Sequence, residues 1–307
     1  FLYTACLRRA AGVPMLISCR LRLLFMATLL VLVSGLLCCA PSAHARPGKV
    51  ILHDFRDIPG VTPEEIAAIE ALRKKGQPLV YGMLNTTETF VRGDGSVGGY
   101  SALFCGWMTE LFGIPFKPRV YDWHELMQRF EDGSVAFTGE LTATPERQKK
   151  YFMTGTFTER AVKAFRLRDS EPLLQIAKVR PPRYVFLEGT TTIKDVLEAS
   201  QFEVEVLLAS TEYEAIRMLR THEADAFLAE EHGSVIFDEG FRAENLFPVV
   251  YSPIALATAN KEFEPIISVF DKYLKHGAFL PLVDLYHQGN EDYLRQVQFA
   301  TLTTEEK

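Results

Sequence analysis

From Thr62 onward the apolar positions of this chain fall into two alternating rhythms. Thr62-Pro63-Glu64-Glu65 opens a helix whose apolar positions Ile66, Ile69 and Leu72 recur at helical spacing and which ends near Gly76. A strand follows over Leu79 to Leu84, then an extended piece around Phe90 and a turn at Arg92-Gly93-Asp94-Gly95-Ser96. The pattern predicts a helix from Tyr100 to Phe112 stopped at Gly113, a strand from Phe116 to Tyr121, and a helix opened by Asp122-Trp123-His124-Glu125 and running to Phe130. Val135-Ala136-Phe137 reads as a short strand, and Ala161 to Leu167 as a long extended segment.

The second half repeats the alternation. Strands are expected at Tyr184 to Leu187, Phe202 to Leu208 and Ala224 to Leu228, with helices at Thr192 to Ala199, Glu212 to Arg220 and Glu230 to Phe237. Phe247 to Ala257 is extended again, and Phe263 to Leu274 and Phe279 to Tyr286 are helical. Near-continuous apolar strands between amphipathic helices mean an α/β protein with mostly parallel sheets. The two long extended crossings, near 161–168 and 247–258, are what two lobes joined by a two-stranded hinge require.

The chain has 307 residues, 48% of them apolar, which is enough for a large core and two domains or lobes. Its beginning reads differently. Met15 is a candidate start; Arg20 and Arg22 make a basic region, Leu23 to Ala40 an apolar one, and Ala43-His44-Ala45 a small-x-small cleavage site. This is an export signal, either cleaved after Ala45 or retained as a membrane anchor. Cys6, Cys19, Cys38 and Cys39 lie in or before it. Only Cys105 remains beyond, so the exported part holds no internal disulfide. Residues 1–45 carry four arginines and no acidic residue, so their removal takes the formal charge from −6 to −10. Such an acidic protein is a poor candidate for nucleic acid or anionic membrane surfaces.

The most informative stretch is Gly139-Glu140-Leu141-Thr142-Ala143-Thr144-Pro145-Glu146-Arg147. Thr144 suits a helix N-cap, Pro145 the first helical position and Glu146 the first turn. Free N–H groups at such a helix start favour an anion, and Arg147 adds a two-pronged donor for a carboxylate. An ordinary capped helix with a solvated arginine is the plain alternative. Glu188-Gly189-Thr190-Thr191-Thr192 offers a second helix start after a strand, open to the same two readings. Glu230 falls just past the strand of Ala224-Asp225-Ala226-Phe227-Leu228, where open α/β sheets bind ligands; it is placed to accept from an ammonium, with Glu231 as competitor. Tyr81, Phe90 and Phe137 are candidate apolar walls, though each also suits the core. Gly93-x-Gly95-x-x-Gly98 matches a dinucleotide fingerprint only on paper, because Asp94-Gly95 is a hairpin signal and no βαβ unit begins there. The seven histidines show no metal-ligand spacing, and no catalytic constellation emerges.

Taken together, Glu88-Thr89-Phe90, Asp94-Gly95, Gly99-Tyr100, Leu141 to Arg147 with Tyr151-Phe152-Met153-Thr154, and Ala224-Asp225-Ala226-Phe227 leading to Glu230 resemble the family 3 extracellular solute-binding proteins. The likeness spans roughly Pro78 to Val297. It implies a two-lobed type II periplasmic-binding (Venus flytrap) fold with a two-stranded hinge. By the same likeness Arg147 grips a ligand carboxylate with Thr142 and Thr144, Gly189 and Thr190 supply the turn of the second lobe, and Glu230 holds an α-amino group. Ser101 and Ala136 stand where that family usually has Asp, and Thr156-Phe157 replaces its Pro-Tyr. The carboxylate grip is therefore better supported than the amine grip. Ile58 to Ile66, Phe137 to Thr142 and Phe247 to Pro253 further resemble the sensor versions of this fold at the front of hybrid histidine kinases and diguanylate cyclases.

The expected organisation is a signal and upstream extension over 1–45, a linker and N-terminal helix over 46–77, lobe 1 over 78–163 plus 253–299, lobe 2 over 164–252, and a linker beginning at 300–307. Leu302-Thr303-Thr304-Glu305-Glu306 echoes Val61-Thr62-Pro63-Glu64-Glu65 and suggests the approach to a further domain. The expected function is periplasmic, non-catalytic binding of a small carboxylate-bearing solute, with no cofactor or metal. Its partner would be a membrane-embedded signalling module or, alternatively, an ABC permease. A dehydratase or lytic transglycosylase with Glu140 or Glu230 as general acid is the rival from the enzyme class.

Overall fold

The computed structural model describes residues 52–230 and 240–301. The expected export signal, Glu231 with the rest of the helix expected as far as Phe237, and the tail beyond Thr301 lie outside the described residues.

Helix α1 (Pro63–Lys75) begins with a reciprocal cap: Thr62 accepts from the Glu65 N–H, and the Glu65 carboxylate accepts from the Thr62 N–H. The first lobe then lays down β1 (Leu79–Leu84), the hairpin β2 (Phe90–Val91) and β3 (Val97–Gly98), α2 (Tyr100–Phe112), β4 (Phe116–Tyr121), α3 (Trp123–Glu131), β5 (Phe137–Leu141), α4 (Pro145–Lys150) and β6 (Phe152–Met153). The chain crosses on β7 (Thr158–Leu167) into α5 (Leu173–Ile176), β8 (Arg183–Leu187), α6 (Thr192–Ala199), β9 (Glu205–Ala209), α7 (Glu212–Arg220), β10 (Ala226–Glu230) and β11 (Phe241–Asn245). It returns on β12 (Tyr251–Thr258) to α8 (Glu264–His276) and α9 (Phe279–Thr301).

The main strand order is β4-β1-β5-β12-β7-β10-β8-β9. Within each lobe the central pairings are parallel, β4-β1-β5 on one side and β10-β8-β9 on the other. Between them β12 and β7 pair antiparallel, Tyr251 opposite Ala161 through Ile254 opposite Thr158. Beyond that stretch each parts from the other. β12 continues beside β5, and β7 beside β10. These are the two expected crossings. Apolar clusters cover both faces of each lobe's sheet: Phe104, Phe112, Phe137 and Phe270 on one side of the first lobe and Leu126, Phe130 and Tyr151 on the other, with Phe165 and Phe227 opposed by Tyr184 and Phe186 in the second.

Three differences from the sequence reading have physical causes. β5 begins at Phe137 and continues through Gly139, Glu140 and Leu141, all buried, so polar residues inside an interior strand had masked its length. β11 alternates only weakly because it is an outer strand paired with β7 alone, and the sequence reading missed it. α9 extends fifteen residues past Tyr286 to Thr301 and packs on α2 where Gly289 meets the backbone of Tyr100; a Cβ there would stand 2.3 Å from the Tyr100 nitrogen.

Candidate functional site

The carboxyl ends of β1, β5, β8 and β10 converge between the lobes, as expected for open α/β sheets. Around them lies a cavity of about 70 Å³ lined from the first lobe by Leu84, Trp123, Glu140, Thr142 and Arg147. The second lobe contributes Leu187, Thr190, Thr191, Thr192, Glu212 and Glu230. A water needs roughly 10–15 Å³ of such space, so the cavity has room for several waters or the polar end of a small solute. Outside it is a wider recess of about 480 Å³ that shares Trp123 and Arg147 with the cavity and also touches Glu188 and Gly189.

Arg147 stands at the boundary of the two. Its Nη1 donates to the Thr142 carbonyl at 3.4 Å and its Nη2 to the Gly189 carbonyl of the other lobe at 3.2 Å. Desolvation lowers its pKa, opposed by Tyr151 and Glu230. Trp123 makes a second contact between the lobes, its indole N–H donating to the Glu188 carbonyl at 2.7 Å. Thr142 lies 3.3 Å, hydroxyl to hydroxyl, from Ser252 on β12. In the second lobe the hydroxyls of Thr190 and Thr192 bond each other at 2.9 Å at the start of α6, where no side chain caps the helix.

Arg147, Thr142, Thr190 and Glu230 are thus brought together as expected. The others are not. Thr144 caps α4, accepting from the Arg147 N–H, so one amide expected to face an anion is already satisfied. α4 is only six residues long, and its field adds little. Gly189 sits in the turn with φ 78°, facing the outer recess rather than the inner cavity. Tyr81 is 1% exposed and packs on Phe104 in the core. Phe90 is likewise core, edge-on to Tyr293 of α9. Gly93 and Gly95 lie in the β2–β3 hairpin turn, and Gly98 pairs with Phe90 in β3. Asp225 binds Arg180 and Arg183, whose hydrogen bonds outweigh burial and hold its carboxyl well below the usual range.

The sequence reading missed Arg160 altogether. It lies on β7 where the strand joins the lobes, and only 6% of its side chain is exposed. Its Nη2 donates to Glu88 at 2.6 Å, and its Nη1 to Glu140 at 2.7 Å and to Glu230 at 3.1 Å. Glu230 therefore faces a cation supplied by the protein itself, and it is the last residue of β10 rather than one past it. Burial works against the Arg160 charge, but the three carboxylates together raise its pKa well above the ordinary value. Glu140 is pushed up to about 7, chiefly by burial and further by Glu230 and Glu88, against the pull of Arg160 and the Leu84 N–H. A signal was available: Arg160, Val162 and Ala164 occupy the buried positions of an alternating strand. An arginine in that register requires a buried carboxylate.

This is the type II periplasmic-binding fold, the two-lobed Venus flytrap. Among solved structures, the periplasmic domain of BvgS from Bordetella pertussis superposes with a TM-score of 0.62 at 17% identity over 76% of this chain. The chain spans just under half, 46%, of that domain's length. The amino-acid ABC transporter substrate-binding protein AbpA of Streptococcus pneumoniae, solved with L-arginine, matches at 15% identity and TM-score 0.56, covering 73% of this chain and 98% of its own. An ancestral amino-acid-binding protein described as a precursor of cyclohexadienyl dehydratase matches at 16% identity and TM-score 0.54, covering 72% and 98%. No protein-family model matches the chain, and a search of curated proteins finds no relative. Among the described residues no helix is long and apolar enough to cross a membrane.

Proposed function

We propose that the protein binds a small carboxylate-bearing, amino-acid-like solute between its lobes, without transforming it, as the periplasmic input of a membrane signalling protein. The observation that carries this reading is Arg147. Its guanidinium borders the inter-lobe cavity that Thr142, Thr190 and Thr192 also line, and it donates to two backbone carbonyls. A carboxylate is a stronger acceptor than either carbonyl and would take over the same donors. Because Arg147 belongs to one lobe and the threonine turn to the other, a solute touching both binds the closed form better, and closure follows.

The alternative role, delivery of the solute to an ABC permease, draws equal support from the fold likeness to an uptake protein. A membrane-spanning segment encoded directly after Lys307 would favour the sensor. The enzyme reading draws on Glu140, whose pKa near 7 suits a general acid. Both of its oxygens, however, are engaged inside the protein, by Arg160 and by the Leu84 N–H.

A thermal-shift screen against amino acids, dicarboxylates and polyamines tests the proposal. A stabilising carboxylate at about 100 times its Kd should raise Tm by roughly 5–10 °C, and Arg147→Ala should abolish that rise. Stabilisation that survives the substitution removes Arg147 from the site. Turnover of an aromatic precursor or of peptidoglycan would replace the receptor reading with the enzymatic one.

A further inference from the structure

Arg160 joins three carboxylates that belong to different parts of the molecule. Glu88 comes from the loop between β1 and β2, Glu140 from β5 in the first lobe, and Glu230 from the end of β10 in the second. One guanidinium balances one charge, and Glu140 and Glu230 share a single nitrogen of it. Opening the lobes moves Glu230 away from Glu140. Closing them brings two carboxylates to the same donor atom, and a proton on one of them removes the repulsion. We propose that this cluster is a proton-operated latch, in which Glu140 takes up a proton as the lobes close and releases it as they open.

The groups facing Glu140 allow the sign to be fixed. Leu84 of β1 offers its N–H to one carboxyl oxygen and Arg160 of β7 its Nη1 to the other. Tyr81 of β1 stands close by, but burial pushes its phenol up and leaves it neutral. Glu88 and Glu230 add negative charge, and both raise the Glu140 pKa. Arg147 and Glu212 border the same cavity. Glu88 acts on Glu140 in either form, because it comes from the same lobe, whereas the burial of Glu140 is made partly by the second lobe across the cavity that both line. Glu230 acts only when the lobes are together. The closed form therefore holds the proton more tightly than the open form, and closure weakens as pH rises through about 7. A protonated Glu140 also leaves the Arg160 Nη1 to Glu230, which strengthens the bond between the lobes.

The latch needs no solute, so it fails or holds separately from the ligand reading. The test is an inter-lobe distance in the whole chain, from fluorophores attached to non-natural side chains at exposed Lys149 on α4 and Lys194 on α6, between pH 5.5 and 8.5. The expected result is a closed-to-open ratio that falls with rising pH, by up to about tenfold for each pH unit between the carboxyl pKa of the open form and that of the closed form. Glu140→Gln should make the distance independent of pH. Should that variant not fold, Glu230→Gln, at the more exposed end of the cluster, should flatten the pH dependence, because it removes the inter-lobe repulsion while leaving Glu140 and its burial in place. A distance that does not change with pH in the unmodified protein, or a pH dependence undiminished in both Glu140→Gln and Glu230→Gln, overturns the proposal.

Discussion

Arg160 is the residue with the largest expected effect on stability. Replacing it with Met leaves Glu88 and Glu140 buried without their counter-ion, and breaking a buried pair in this way costs about 3–5 kcal/mol. Urea midpoints of the variant and the parent measure it. A loss below about 1 kcal/mol would mean that the two carboxyls reach water or protons easily. Glu140 makes stability depend on pH with a definite sign. Its folded pKa lies above the ordinary carboxyl value, so between about 4.5 and 7 the folded protein keeps a proton that the unfolded chain has lost. Stability from this group is fully present below that window and falls as pH rises through it, by up to about 1.4 kcal/mol for each pH unit crossed. Denaturation of the parent and of Glu140→Gln at pH 5 and pH 8 should show the parent losing more stability than the variant.

At the scale of elements, the caps and periods in the sequence were largely sufficient. Thr62, Asp122 and Thr211 cap the helices expected after them, and Gly76 and Gly113 end α1 and α2 in the left-handed conformation. These signals are legible because each acts over a few residues of sequence. The site was legible only in part for the opposite reason. Thr142, Thr190 and Glu230 sit at or just past strand ends and Arg147 in the capped helix that follows β5, features that local pattern can locate, whereas the contacts of Arg160 join residues 20 to 72 positions apart. Tyr81 and Phe90 carry no local mark that separates a pocket wall from a core ring. α9 gives the clearest test at this scale. Gly289→Leu places a side chain against the Tyr100 backbone, and overpacking of this kind costs about 1–3 kcal/mol. Hydrogen exchange should quicken along α9 before it does in β1 or β5; equal protection throughout would mean that the helix does not depend on this contact.

For the whole molecule, closure unites the separate features. Trp123 reaches Glu188, Arg147 reaches Gly189 and Arg160 reaches Glu230, so three side chains attached to the first lobe and the hinge bond to the second. These bonds give the closed form a footing of its own, and the proposed solute would add to it through its differential affinity. Trp123→Phe keeps an aromatic ring and removes the N–H. It should shift the population toward the open form, visible as a longer inter-lobe distance without solute and an unchanged Tm within a few degrees. A closed population equal to the parent's would show that this bond contributes nothing to closure.

On the proposed reading Arg147 receives the carboxylate of the solute. The most direct measurement compares, by calorimetry, the best-stabilising amino acid with its own methyl ester, which keeps the amine and side chain but removes the negative charge. The acid should bind and the ester should lose at least about tenfold in affinity, the effect of a lost charge-assisted hydrogen bond. In Arg147→Ala the two should bind alike. Equal binding of acid and ester to the unmodified protein would contradict the account, because the guanidinium would then not be holding the solute.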